Sequence, residues 1–154
     1  MAEQMEILVG ELNDGINKAG LAKNQTEYEK YYQLVFDRLD QLEKHLEDHR
    51  FLLGNQLTEV DVRLYVTLTR FDIAYYFGYR LNKKRIRDYH NLWNYAKELY
   101  SLPAYRDIMD FDASKRGYLL GAANNPDGIL PEGPDVKIWL ETNDRETKFG
   151  PLKI

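Results

Sequence analysis

Apolar residues recur along this chain at helical spacing, and one run is long. Tyr28, Tyr32, Val35, Leu39, Leu42 and Leu46 step by 4, 3, 4, 3 and 4 residues. That spacing lays a single stripe along a helix predicted over Thr26 to His49. The opposite face carries Glu29, Lys30, Asp37, Arg38, Asp40, Glu43, Lys44, Glu47 and Asp48. Thr26 followed by Glu29 reads as a capping box at its start. Tyr31, Leu34 and Phe36 widen the stripe beyond a coiled-coil seam, which favours a bundle helix. An earlier helix is predicted from Glu3 to about Asn13 on Met5, Leu8 and Leu12, with Gly15 just past its end.

Further along, Thr58 is a natural N-cap, and Asp61 three residues on can reach back to it. Leu57 and Val62 stand at the staple positions of the same helix start. The helix opened there, Glu59 to about Phe77, has apolar residues pointing in most directions. Its only charges past the first turn are Arg63, Arg70 and Asp72. Such a helix is expected at the centre of a bundle, with its charges paired. Gly78 ends it. A basic loop follows from Tyr79 to His90, then a helix from about Asn91 to Leu102 and a short one seeded by Pro103. No convincing strand is found, so the fold class is all-α. Residues 1–116 are expected to form the helical bundle. Residues 117–154, with four of the five prolines and half of the ten glycines, are expected to form an irregular tail packing on it.

Composition narrows the chemistry. The chain has 154 residues, enough for one domain with its own core. It contains no cysteine, so a disulfide, a thiolate metal site and a cysteine nucleophile are all outside its reach. A net charge of −4 offers no global pull toward nucleic acid or an anionic membrane surface. No apolar run approaches the roughly 20 residues of a membrane span. No signal peptide is evident at Met1, and a cytoplasmic location is expected. Tyrosine is abundant: eleven of the twelve lie between Tyr28 and Tyr105. An apolar body with a polar tip suits a wet cavity or an interface as well as a core.

Three clusters carry possible chemistry. His45 and His49 stand at i, i+4, a spacing that can hold a metal ion, but the sequence supplies no third ligand and no metal site is expected. Arg80, Lys83, Lys84, Arg85 and Arg87, flanked by Tyr79 and Tyr89, could contact an anion or remain a solvated loop. Without a nucleic-acid-binding signature around them, nucleic acid is not an expected partner. Arg63, Arg70 and Asp72 read as an internal ion-pair set fixing helix packing, and Asp61 as a structural cap. No Ser-His-Asp order, glycine-rich phosphate loop or HExxH is present, and no catalytic residue is assigned.

The capped segment Leu57-Thr-Glu-Val-Asp61, opening the central helix of an all-α chain, resembles the hallmark of the C-terminal domain of glutathione S-transferases. Gly54 to Tyr65, Thr67-Leu-Thr-Arg-Phe-Asp72 and Ile86-Arg-Asp-Tyr89 with Asn91-Leu92 are similar to the glutathionyl-hydroquinone reductases, the xi or omega-like class. Asn13 to Gly20, Asp110-Phe-Asp112, Asn125 to Ile129 and Lys148-Phe-Gly150 agree with that family too. The resemblance implies a helical substrate-pocket and dimerisation domain, whose full-length relatives pair it with a thioredoxin-like domain. That partner domain carries glutathione and a catalytic cysteine. It further implies a homodimer and a small aromatic or glutathione-conjugated ligand.

Within the resemblance, one pocket tyrosine of the family corresponds here to Asn17, and a second corresponds to Tyr118. Phe71 and Tyr75 are further pocket candidates. The family's histidines near the second tyrosine are replaced by Gly117, Leu119, Leu120 and Gly121. Its histidine and cysteine after the central helix are replaced by Gly78, Tyr79 and Leu81. No thiol transfer is expected from this chain alone, because the thioredoxin-like half is not in it. The alternative is a free-standing, non-catalytic interaction module.

Overall fold

The computed structural model describes residues 1–153 and contains helices, turns and no strand among them. Helix α1 spans Ala2–Gly20, and α2 spans Gln25–Asp48. Each buries one stripe: Met5, Val9, Leu12, Ile16 and Ala19 on α1; Val35, Phe36, Leu39, Leu42 and Leu46 on α2. The short link between them makes them antiparallel neighbours.

Gly15 does not end α1. It is buried inside the helix, where an added Cβ would lie 3.3 Å from both Leu34 and Val35. The glycine is a point of close helix contact rather than a stop. The start of α2 also differs from the expectation. Asn24 is the N-cap, its Oδ1 accepting from the Glu27 amide at 2.8 Å. Thr26 lies inside the first turn.

Helix α3, Glu59–Arg70, opens on the Thr58–Asp61 capping box. The Asp61 carboxylate accepts from the amides of Thr58 (2.9 Å) and Leu52 (3.0 Å) and from the Tyr95 hydroxyl (2.7 Å). One buried carboxylate therefore caps α3, holds the preceding turn and anchors a second helix. After Arg70 the chain makes one π-helical turn, Phe71–Tyr75, before the last α-helical turn α4, Tyr76–Gly78. A π turn inserts an extra residue and rotates the helix beyond it.

Helix α5, His90–Ser101, is buried along most of its length, at every residue from Asn91 to Leu99. Glu43 of α2 caps it, accepting from the amides of Asn91 (3.0 Å) and Leu92 (2.8 Å). Short α6, Pro103–Asp107, leads to α7, Phe111–Leu119, capped by Asp110 on the Ala113 amide at 2.9 Å. Helix α7 runs through Gly117, so the helical region continues past residue 116.

The remainder holds a 3-10 turn, Val136–Leu140, and helix α8, Arg145–Phe149. Two arginines pin it down. Arg145 is fully buried and donates to the carbonyls of Leu46 (3.0 Å), His49 (2.7 Å) and Arg50 (3.0 Å), the open end of α2. Arg50 holds Glu98 through two hydrogen bonds and donates to the Gly150 carbonyl. Trp139 packs edge-on against Trp93 at 4.7 Å, close to Tyr100 and Phe111.

Candidate functional site

Helix α3 is apolar on most faces, yet one side of it is not covered. Val62, Arg63, Val66 and Arg70 face a cavity of about 360 Å³ whose other walls come from α1, the π turn and α7. Asn13, Ile16 and Asn17 of α1 close one side; Tyr75 and Tyr118 close the other. Thr67 at the same wall donates its hydroxyl to the Asn13 side chain, tying α3 to α1 beside the cavity. Three of the four residues singled out for the pocket, Tyr118, Tyr75 and Asn17, therefore line one cavity. Phe71 does not. Its side chain is completely buried, edge-on to Phe36 and Tyr75 at 6.1 Å from each, and it supports Tyr75 from behind.

The π turn sets this wall. It places Tyr75 so that its hydroxyl donates to the Tyr118 oxygen at 3.1 Å, with the two rings edge-on at 5.0 Å. Tyr79 stacks on Tyr75 at 5.5 Å and lies edge-on to Tyr118 at 5.9 Å. Tyr79 in turn lies over Gly20, where an added Cβ would come 2.2 Å from its ring. Only a glycine lets that ring sit so low on α1. Burial, together with the Tyr118 hydrogen bond, pushes the Tyr75 hydroxyl above its ordinary pKa, so it stays a proton donor.

Arg70 completes the arrangement. Its guanidinium donates to the Tyr118 oxygen at 3.4 Å and lies 5.9 Å from the ring centre. An arginine cannot accept, and Tyr75 donates as well, so both lone pairs of the Tyr118 oxygen are taken. The Tyr118 O–H is left to donate elsewhere, and the cavity is beside it. The Arg70 Nε is buried without a partner.

The expected ion pair among Arg63, Arg70 and Asp72 is not made. Arg63 reaches Glu59 at 3.1 Å on the surface. Asp72 turns away, accepting from the amides of Ile86 (2.7 Å) and Arg87 (3.3 Å). Residues two apart on a helix point in different directions, and the π turn parts them further. Burial raises the Asp72 carboxyl to a pKa of about 7, against the pull of the Ile86 amide. Composition of the helix signalled that Arg70 mattered; only its placement shows that it faces the cavity.

Elsewhere, His45 and His49 stack at 4.1 Å. His45 Nε2 meets the Leu52 carbonyl at 2.8 Å and His49 Nδ1 the His45 carbonyl at 2.9 Å, which commits those nitrogens to the backbone. In the basic loop Arg85 pairs with Asp88 at 3.0 Å, and Lys84 lies over the Tyr89 ring at 4.0 Å.

Comparison with known proteins agrees with this architecture. Residues 25–98 match the family model described as glutathione S-transferase, C-terminal domain. The chain is 38% identical over 143 residues to the glutathionyl-hydroquinone reductase YqjG of Escherichia coli, covering 90% of this chain and 42% of that protein. The glutathione-bound structure of YqjG superposes with a TM-score of 0.89 at 36% identity, over 96% of this chain and 48% of that one. A putative glutathione S-transferase from Corynebacterium glutamicum gives a TM-score of 0.93 at 35% identity, over 100% of this chain and 52% of the other. The chain thus spans about half the length of the relatives it matches. It belongs to the glutathione S-transferase superfamily as a C-terminal helical domain, similar to the corresponding part of the glutathionyl-hydroquinone reductases.

Proposed function

We propose that this domain supplies the aromatic-ligand wall of a glutathione-dependent thiol-transfer site, and that its substrate is a glutathionyl-hydroquinone. The observation that carries the reading is Tyr118: a hydroxyl at a cavity wall, held in place by hydrogen bonds with Tyr75 and Arg70. A donor so placed would orient a phenolic oxygen, while Val62, Val66 and Ile16 offer apolar surface to a ring. The Asn17 amide adds an adaptable polar contact opposite it.

With no cysteine in the chain, the sulfur chemistry would fall to a thioredoxin-like domain, in cis or in trans. That domain would hold glutathione and the attacking thiolate. This chain's part is to bind and orient the aromatic ring and to keep a proton at the Tyr118 oxygen. A cytoplasmic homodimer is the setting proposed for it. The test joins the 154 residues to a thioredoxin-like domain of a glutathionyl-hydroquinone reductase and follows release of the quinol. Turnover that drops about tenfold or more in Tyr118→Phe supports the reading. Equal turnover in the variant contradicts it.

A second reading has one observation in its favour. Asn17 stands where the resemblance places a tyrosine, so the cavity has one phenolic donor fewer. A non-catalytic module that keeps the fold for protein contact would show no turnover in the joined protein, whatever stands at position 118.

A further inference from the structure

Arg70 lacks a counter-charge. Among the described residues it makes no salt bridge, and no carboxylate lines the cavity it faces. It donates to the Tyr118 hydroxyl and lies close to the Tyr75 hydroxyl, neither of them a counter-charge, and its Nε is buried and unpartnered. Asp72, the nearest acid in sequence, is spent on the Ile86 and Arg87 amides. Arg70 is half-buried, and a partly desolvated guanidinium with no counter-charge favours an anion beside it. Beside it stands the spare Tyr118 proton.

Two donors converge there, one of them cationic. The remaining groups facing the cavity do not oppose a negative charge. Arg63 is a second cation, shared with Glu59 on the rim. Helix α1 contributes only the amides of Asn13 and Asn17, its Asp14 being paired with Lys18 at 2.8 Å. Tyr75 donates to Tyr118 and stays neutral.

We infer that Arg70 is a specificity residue that makes the cavity select the phenolate form of a hydroxyaromatic ligand, its anionic oxygen held between the Arg70 guanidinium and the Tyr118 O–H. The inference rests on the cavity being the aromatic-ligand site. The ligand's phenolic proton leaves to solvent, and the oxygen then accepts from both donors.

The test uses 4-nitrophenol, whose phenolate absorbs visibly, and 4-nitroanisole, which has the same ring system and no ionisable hydroxyl. With the 154-residue chain, bound nitrophenol is expected to ionise about one pH unit below the free compound, a tenfold preference for the anion. Arg70→Gln should abolish that shift while nitroanisole affinity stays within about twofold. Arg70→Lys should restore part of it, and Tyr118→Phe should reduce it. Should Arg70→Gln unfold, the wild-type shift together with Tyr118→Phe decides the matter.

Nitrophenol bound only as the neutral phenol overturns the inference, as does an unchanged shift in Arg70→Gln. If nitroanisole binds as well as nitrophenolate, the aromatic cavity stands and the anion selectivity falls. If neither probe binds, both fall.

Discussion

The Tyr75 hydroxyl donates to the Tyr118 oxygen at 3.1 Å, joining the π turn after α3 to the last turn of α7. This bond decides what Tyr118 can do. With Arg70 donating to the same oxygen, the Tyr118 O–H can donate into the cavity. It also binds two elements far apart in sequence into one wall, so ligand contacts and local stability share a residue.

Tyr118→Phe should therefore destabilise the fold as well as weaken ligand binding. Tyr75 is buried, and its hydroxyl would lose its acceptor, a cost of about 1–2 kcal/mol. Tyr75→Phe removes a donor and leaves Tyr118 half-exposed with a free lone pair, so its cost should be smaller. Urea denaturation of the two variants ranks them.

Gly20→Ala places a Cβ 2.2 Å from the Tyr79 ring. The ring must move, and Tyr75 stacked on it must follow. Overpacking of this kind costs about 1–3 kcal/mol, more than the gain of up to about 1 kcal/mol in helix propensity. Thermal unfolding should show a net loss. Gly10→Ala, where an added Cβ meets nothing within 4 Å, serves as the control and should be neutral or stabilising.

Arg145→Met keeps volume but leaves three carbonyls at the end of α2 without their buried donor. Each orphaned acceptor costs about 1–3 kcal/mol, and α8 loses its attachment to the bundle. The variant should unfold more easily, and limited proteolysis should cut first in the segment after Leu119. Equal protease resistance in wild type and variant would remove Arg145 from this role.

Stability should fall as pH rises through the neutral range. The Asp72 carboxyl has a folded pKa of about 7 against an ordinary value of 3.8. The folded state thus holds the proton more tightly than the unfolded chain. That contribution is complete below about pH 4 and is lost as pH climbs through 7, with a slope of up to about 1.4 kcal/mol per pH unit. Asp72→Asn should flatten the slope in this window. A wild-type stability that is level from pH 4 to 7 would show that the Ile86 and Arg87 amides outweigh burial.

Much of the scaffold was legible in the sequence because it follows from periodicity and capping. The α2 stripe, and the Thr58–Asp61 cap with the all-round apolar helix behind it, each have a local signal. Other features depend on contacts that no local pattern records. Gly15 has the look of a helix stop, but whether a glycine ends a helix or lets a neighbour approach is set by Leu34 and Val35 on another element. Asn24 and Thr26 are both good caps, and the chain uses the first.

The candidate site was only partly readable. Tyr118, Asn17, Tyr75 and Phe71 are all candidates through the resemblance alone. Phe71 lies in the π turn with its side chain fully buried, while Tyr75 of the same turn meets the cavity, and composition leaves no mark of that turn. The same turn carries Asp72 away from Arg70, and so leaves the cation open toward the cavity.

Titrating the isotopically labelled chain with hydroquinone, while tracking backbone amide resonances, reads whether the cavity between α1, α3, the π turn and α7 receives an aromatic ligand. The largest changes should fall on Asn17, Thr67, Arg70 and Tyr118. Changes centred instead on the groove of Phe111, Lys115 and Glu132 to Val136, or no changes at all, would mean that this cavity is not the aromatic site.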